Sequence, residues 1–355
     1  LVNNVKSGVL LVCTMSLACW GQAPLPLSCQ QGLKMLNSQD PAGAAAPLEK
    51  CVREAPGRAE PYVLLCAAYQ MQGNADALFR TASEAARKFP QEERFFEVVG
   101  TYGGRLKRYE EAIGSLTPAV ERWPETAKLR SLLESLHLAR GMELLDGGAN
   151  AAALTHLEQA ATLAPGDVEA HLNLGRALHN LHRLPEALEA FEKAARLNPD
   201  LPLVQFHRGL TLYSLGEFEA ARQALALEVA ANPQYVPARL FHGLALMGLG
   251  LWEAALPELT IAADRSPADA AAQYALGRCA LRLGQLELAE TRLRKTIALD
   301  PEDPAPVNLL VRLLRQTERR EEAETLAARA RELSRATRRA APGEIRFESY
   351  RKTPR

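Results

Sequence analysis

Apolar residues recur every three or four positions along this chain, in short segments that come in pairs. In one such pair, Leu174, Leu178 and Leu181 follow helical spacing, and a second amphipathic stretch runs from Leu184 to Leu197. This spacing places apolar side chains on one face of a helix. No alternating run rich in Val, Ile and Thr is long enough to predict a strand. The pattern therefore predicts an all-α fold built from helix pairs.

Proline marks the end of successive helix pairs. It cannot continue a helix, and it biases the preceding residue away from helical geometry. The marking prolines lie 34 residues apart in six of seven intervals and 41 apart in the other: Pro56, Pro90, Pro124, Pro165, Pro199, Pro233, Pro267 and Pro301. A fixed period of this length indicates stacked helix-turn-helix repeats, each of which buries its apolar face against its neighbours.

Small residues recur with the same spacing as the prolines. Glycine recurs on the first helix of the pairs and alanine on the second, and the small side chains allow the two helices to approach closely. We expect Gly175 and Ala187 to face each other where one pair crosses. The recurring residues are Gly32, Gly100, Gly141, Gly175, Gly209, Gly243 and Gly277, with Ala44, Ala112, Ala153, Ala187, Ala221, Ala255, Ala289 and Ala323.

This pattern resembles the tetratricopeptide repeat. At the family's eighth position glycine stands in seven of nine repeats, with Cys66 and Val311 as departures. At the twentieth position alanine stands in eight of nine, and at the thirty-second proline does so until Arg335 ends the series. The resemblance implies a right-handed superhelical solenoid of about nine helix-turn-helix repeats.

The repeats predict the division of the chain. Repeats 1–3 occupy residues 25–124 and repeats 4–9 occupy residues 134–333. Seven extra residues around 125–133 should lengthen a helix or break the superhelix locally. Residues 334–355 carry seven basic and two acidic side chains, and we expect a disordered basic tail there.

Residues 1–23 have the pattern of a secretory signal peptide, with Lys6 before a short apolar run and small residues after it. Cleavage could follow Ala18 or Ala23. We expect a bacterial protein that is exported to the periplasm or secreted, and Leu1 fits a bacterial start codon. Membrane attachment is expected only if Cys19 is lipidated, and the alternative is a hydrophobic N-terminus on a cytosolic protein.

Charge and motifs narrow the class of protein. Basic and acidic residues balance at 42 each, so the basic excess of a nucleic-acid-binding protein is missing. No phosphate-binding loop, Gly-x-Ser-x-Gly or His-Glu-x-x-His motif occurs, and the repeats leave no room for a catalytic domain. We therefore expect no enzyme activity and no cofactor.

The histidines do not predict a metal site, because His179, His182 and His207 lack suitably placed carboxylates. His137 and His171 are predicted to be core residues.

The resemblance implies that the first helices line a concave groove. An apolar strip that contains methionine and aromatic residues is typical of an interaction surface. Two alternatives stay open: these side chains touch one another, or the protein's own tail fills the groove. The predicted groove residues are Leu138, Met142, Leu172, Arg176, His179, Phe206, Leu210, Tyr213, Leu240, Leu244, Met247, Tyr274, Arg278, Arg282, Arg312 and Arg315.

The functional expectation is a non-catalytic scaffold or adaptor that binds a peptide or helix of another protein. The family's clamp for a C-terminal carboxylate is not supported, because Leu138 and Met142 stand where Lys and Asn are needed. The alternatives are a membrane-attached envelope assembly factor similar to pilotin lipoproteins, and a regulatory subunit of a separate enzyme. The oligomeric state is not predicted.

Cysteine pairing depends on export. Cys51 lies on the second helix of the first repeat, on the side that should meet the second repeat, where Cys66 replaces the usual glycine. A Cys51–Cys66 disulfide is one hypothesis, and the favoured interpretation is that both are small buried thiols.

Overall fold

The computed structural model describes residues 24–339, in which eighteen α-helices and no strands occur. The helices form nine consecutive pairs, which confirms the predicted all-α fold of about nine helix-turn-helix repeats. The helices are α1 (Leu27–Asn37), α2 (Pro41–Glu54), α3 (Glu60–Gln72), α4 (Ala75–Lys88), α5 (Glu93–Arg105), α6 (Tyr109–Arg122), α7 (Ala127–Asp146), α8 (Asn150–Leu163), α9 (Val168–Asn180), α10 (Leu184–Leu197), α11 (Val204–Ser214), α12 (Phe218–Ala231), α13 (Val236–Gly248), α14 (Trp252–Arg265), α15 (Ala270–Arg282), α16 (Leu286–Leu299), α17 (Pro304–Gln316) and α18 (Arg320–Arg339).

The helices belong to two compact units that divide between Gly166 and Asp167. The N-terminal unit holds repeats 1–4 (α1–α8), and the C-terminal unit holds repeats 5–9 (α9–α18). The division falls one repeat later than the insertion at residues 125–133. The insertion itself lengthens α7, which has 20 residues where α5 has 13. Leu129 and Leu133 are buried on its added turns, so the N-terminal unit absorbs the extra residues.

Acidic side chains cap several first helices. Asp167 accepts a hydrogen bond from the Ala170 amide at 2.7 Å, and Asp303 accepts one from the Ala305 amide at 2.8 Å. These carboxylates satisfy backbone N–H groups that have no partner inside the helix. The turn between α13 and α14 contains Gly250 at φ +77°, a conformation that glycine adopts without steric cost. Caps and turns of this kind set where each helix begins and ends.

Close packing within a pair depends on the glycine of the first helix. A Cβ atom added to Gly175 would lie 2.7 Å from the Phe191 ring, and one added to Gly209 would lie 2.6 Å from Leu225. Gly175 therefore faces Phe191, four residues after the predicted partner Ala187, although Ala187 is fully buried as well. The second helix places a large side chain in the space that glycine leaves open.

Helix α11 is capped by a residue from the neighbouring helix. The residue before it, Leu203, has φ +66° and supplies no side-chain acceptor. Instead, Glu228 of α12 accepts a hydrogen bond from the Phe206 amide at 3.3 Å and one from Asn232 at 2.5 Å. In the repeats on either side, the position of Glu228 is occupied by Ala194 and Ala262. The buried carboxylate thus replaces a missing local cap.

The last helix corrects the predicted tail. α18 ends at Arg339, so the segment predicted to be disordered from residue 334 begins inside a helix. Residues 340–355 lie outside the described residues, as do the predicted signal peptide at 1–23 and Cys19. Within residues 24–339, no helix combines the length and the apolar character that crossing a bilayer requires.

Candidate protein-binding site

Three predicted groove residues of the C-terminal unit are core residues. Phe206 and Leu240 have no exposed surface, and Met247 is 5% exposed. Phe206 packs edge-on against Tyr235 and Phe241, with ring centres 5.1 and 6.0 Å apart. The prediction that these three side chains line an open surface is wrong, because the first helix of the next repeat covers them.

The other apolar positions on these first helices remain half-buried. They carry Leu172 on α9, Leu210 and Tyr213 on α11, Leu244 on α13 and Tyr274 on α15. Leu210, Tyr213 and Leu244 pack against the same buried cluster around Phe206 and Phe241. Burial raises the pKa of Tyr213 and Tyr274, and the positive charge of Arg278 opposes the rise at both. The charge of Arg278 therefore acts on both tyrosines, one on α11 and one on α15.

Arg176 and His179 on α9 are held by contacts inside the unit. Arg176 donates to the Oδ1 atom of Asn173 at 2.7 Å, and His179 Nδ1 lies 3.0 Å from the hydroxyl of Thr211. Nearby, the His207 ring stacks on Phe191 with ring centres 5.5 Å apart. Burial, together with the smaller effect of the charges of Arg176 and His179, lowers the pKa of His207 to about 3. These groups link α9 to α11, and His179 is already engaged before any ligand binds.

Four predicted arginines are exposed at the C-terminal end of the unit: Arg278 and Arg282 on α15, and Arg312 and Arg315 on α17. Arg282 has its guanidinium 5.9 Å from the centre of the Trp252 ring. Within residues 24–339, the other three have no carboxylate at ion-pairing distance.

Carboxylates are segregated from these arginines. The sequences of α11, α13, α15 and α17 contain no Asp or Glu, whereas α10, α12, α14, α16 and α18 all do. Several arginines on or beside the second helices are paired, as Arg294 and Arg319 are with Glu290 and Glu322. Helices α11, α13, α15 and α17 therefore carry basic side chains and no acidic ones of their own.

The N-terminal unit contributes two predicted groove residues and one unpredicted feature. Leu138 and Met142 on α7 are half-buried. The buried His137 lies beside His156 of α8, with 3.1 Å between the two Nδ1 atoms. Burial lowers the pKa of His137 to about 4 and also lowers that of His156, whereas the nearby Glu110 carboxylate raises both. His137 and His171 are buried, which confirms the prediction that both are core residues.

The disulfide differs from the Cys51–Cys66 hypothesis. Cys51 is bonded to Cys29 of α1, and their Cα atoms are 5.1 Å apart. Cys66 is a free, buried thiol, and burial raises its pKa to about 12. The bond therefore joins the two helices of the first repeat, because α1 packs against α2 along the face that carries Cys51.

Side chains that could hold a metal ion are not grouped together among the described residues. Among residues 24–339, no three His, Cys, Asp or Glu side chains are arranged to hold a metal ion. The histidines with the lowest pKa values stack on other rings or lie beside other buried groups. The first-helix side chains can therefore make apolar contacts, and their guanidinium groups can donate charged hydrogen bonds.

Helix pairs that stack within each unit, with a half-buried apolar and basic first-helix face in the C-terminal unit, define a helical-repeat protein of the protein-binding class. A family model described as "Tetratricopeptide repeat" matches residues 138–202, 183–236 and 242–305. The chain belongs to the tetratricopeptide-repeat family, whose members are in general non-catalytic scaffolds for protein–protein interaction.

Comparisons with known proteins add two similar solved structures. MamA from Desulfovibrio magneticus RS-1 (residue 41 to the end) is 24% identical over 48% of this chain and 96% of that chain, with a TM-score of 0.45. YrrB, described as a TPR protein with an unusual peptide-binding site, is 20% identical over 50% of this chain and 91% of that chain, also with a TM-score of 0.45. No curated protein sequence matches the chain significantly.

Sequence reasoning missed three features of these sites. The charge segregation was visible, because four consecutive first helices lack Asp and Glu. The unusual Glu228 was also visible as a departure from Ala in the neighbouring repeats. The His137–His156 pair had no signal, since the two residues are 19 positions apart and meet only when α7 packs on α8.

Proposed function

We propose that this protein is a non-catalytic scaffold that binds a peptide or helix of another protein along the first helices of its C-terminal unit. The observation that carries the proposal is the row of half-buried side chains Leu210, Tyr213, Leu244 and Tyr274 beside exposed arginines. Partly exposed apolar and aromatic side chains gain free energy when a partner covers them. An apolar strip on helices is suited to recognition of an amphipathic helix or an extended segment.

Photocrosslinking tests this proposal without removing the packing side chains. We expect p-benzoylphenylalanine at Tyr213 or Tyr274 to crosslink a partner protein in native extracts. The matched control places the same group at Leu227 of α12, which is 57% exposed on a second helix. Crosslinks that form from Leu227 and not from Tyr213 or Tyr274 would locate the interaction elsewhere and refute the proposal. Far-UV circular dichroism checks that each variant keeps its helices.

We also propose that the protein works outside the cytoplasm. The Cys29–Cys51 disulfide supports this, because disulfides persist in oxidising compartments and are rare in the cytosol. Cell fractionation, combined with alkylation of free thiols before and after reduction, tests it. The expected result is a protein in the exported or membrane fraction with two thiols protected until reduction. Recovery in the cytosol with every thiol already reactive after denaturation and before reduction would contradict the proposal.

A further inference from the structure

The arginine cluster, formed by Arg278, Arg282, Arg312 and Arg315, goes beyond general protein binding. Arg278 and Arg312 occupy equivalent positions in repeats 8 and 9, being 34 residues apart. Arg282 follows one turn after Arg278, and Arg315 follows one turn after Arg312, so each pair shares a helix face. Helices α15 and α17 contact each other within the C-terminal unit. With a rise of about 1.5 Å per residue and packed axes about 8–10 Å apart, the four side chains start from a patch about 10 Å across.

Several other arginines of the unit are already paired with carboxylates. Arg183 pairs with Glu186, Arg222 with Glu219, and Arg292 with Asp264. Helices α15 and α17, which carry the cluster, contain no Asp or Glu, and the like charges of the cluster repel one another. An anionic partner would relieve this repulsion and would meet guanidinium groups that are not already bonded to carboxylates.

We propose that the arginine cluster binds the carboxylates of an acidic segment in the partner protein, a segment that also carries apolar or aromatic residues. This inference rests on the proposed function and specifies the partner's chemistry. Alternate side chains of an extended peptide are about 7 Å apart, so two carboxylates of one peptide fit on a patch about 10 Å across. Tyr274, one turn before Arg278 on α15, and Leu244 supply the apolar contacts beside it.

Charge argues against two other occupants. Residues 340–355 carry four basic and two acidic side chains, so the protein's own C-terminal segment has the same sign as the cluster. A nucleic acid usually needs an extended basic track, and the chain as a whole has no net charge. A compact basic patch bordered by apolar side chains is better matched to a short acidic and apolar peptide.

The test selects peptides from a random 12-residue phage library on the full chain and measures binding of the enriched peptides by fluorescence polarisation. We expect enrichment of Asp and Glu together with apolar residues. The variant Arg278→Gln/Arg312→Gln/Arg315→Gln should bind at least about tenfold more weakly at low salt. The matched control, Arg196→Gln/Arg222→Gln/Arg320→Gln, removes the same charge from α10, α12 and α18 and should change affinity by less than about twofold. Added salt should reduce the difference between the two variants.

The outcomes of this experiment test the acidic-segment inference and the proposed function separately. Enriched peptides that lack acidic residues, or an equal loss in the two triple variants, would overturn the acidic-segment inference and leave the proposed function standing. Failure to enrich any peptide would count against the proposed function itself. A labelled oligodeoxythymidine of 12 nucleotides that binds more tightly than the peptides, with the same loss in the cluster variant, would reassign the cluster to nucleic acid.

Discussion

At the residue scale, one glycine position in each repeat controls how closely the two helices approach. At Gly175 the space for a Cβ atom is filled by the rigid ring of Phe191 at 2.7 Å. At Gly277 the nearest atom is 3.1 Å away, on the flexible side chain of Leu293. The same position of the repeat thus tolerates a larger side chain to different degrees in two repeats, and the repeat pattern alone does not reveal this difference.

We predict that Gly175→Ala destabilises the C-terminal unit and that Gly277→Ala does not. Overpacking against an aromatic ring costs about 1–3 kcal/mol, whereas alanine gains about 1 kcal/mol in helix propensity. The net change should be a loss of up to about 2 kcal/mol at Gly175 and close to zero at Gly277. Urea denaturation followed by circular dichroism measures both variants. Equal effects at the two positions would show that the Phe191 contact does not control packing.

At the element scale, the first repeat is joined covalently as well as by packing. The Cys29–Cys51 bond connects α1 to α2, and Cys29 is fully buried. A first repeat has a neighbour on one side only, so it buries less apolar surface than an internal repeat. A covalent link between its helices offsets that deficit by restricting the unfolded chain.

We predict that Cys29→Ala/Cys51→Ala destabilises the N-terminal unit by about 3 kcal/mol. This is the value expected for the loop between Cys29 and Cys51 that the disulfide closes. Thermal denaturation with and without dithiothreitol measures the effect. Reductant should lower the melting temperature of the wild type and leave that of the double variant unchanged. Cys66→Ala serves as the control, since it should keep its sensitivity to reductant. A wild type that melts identically after complete reduction would contradict the prediction.

The limits of sequence reasoning at this scale are clear from α7 and α18. The bounds of most helices follow from proline, glycine and capping residues, which act locally. The extension of α18 to Arg339 was missed, because charge composition predicted disorder where an amphipathic helix continues. The capping of α11 by Glu228 was also missed, because Glu228 belongs to a different helix, α12.

At the scale of the whole molecule, several buried or half-buried histidines make stability depend on pH. Burial lowers the pKa of His137, His156, His207 and His242, in two cases to about 4 and about 3. In the unfolded chain a histidine takes up its proton near pH 6.5. The folded protein therefore binds fewer protons than the unfolded chain between that pH and the lowered pKa. Stability is complete above about pH 6.5 and falls as the pH decreases.

We predict that His207→Gln flattens this acid destabilisation between about pH 6.5 and pH 3. One histidine contributes up to about 1.4 kcal/mol per pH unit in that window. Urea denaturation at constant ionic strength, from pH 7.5 to pH 4, gives the free energy of unfolding for variant and wild type. Carboxylates also titrate below pH 5, so the difference between the two proteins is the quantity to compare. An unchanged pH slope would contradict a buried, neutral His207.

The sequence by itself determined the fold class, the number of repeats and the approximate bounds of their helices. It could do so because these features depend on local patterns: helical spacing of apolar residues, prolines at a 34-residue period, and contacts that reach only adjacent repeats. Both the family and the general class of function follow from the same pattern.

Only the tertiary structure decided which first-helix side chains reach the surface and which cysteine pairs with Cys51. Helical spacing fixes the direction of a side chain around its own axis, but not how closely the next helix covers it. Phe206 and Arg278 were predicted on the same face, yet one is in the core and the other is exposed. Likewise, a disulfide needs two Cα atoms about 5–6 Å apart, and only the packing of α1 on α2 brings Cys29 to that distance.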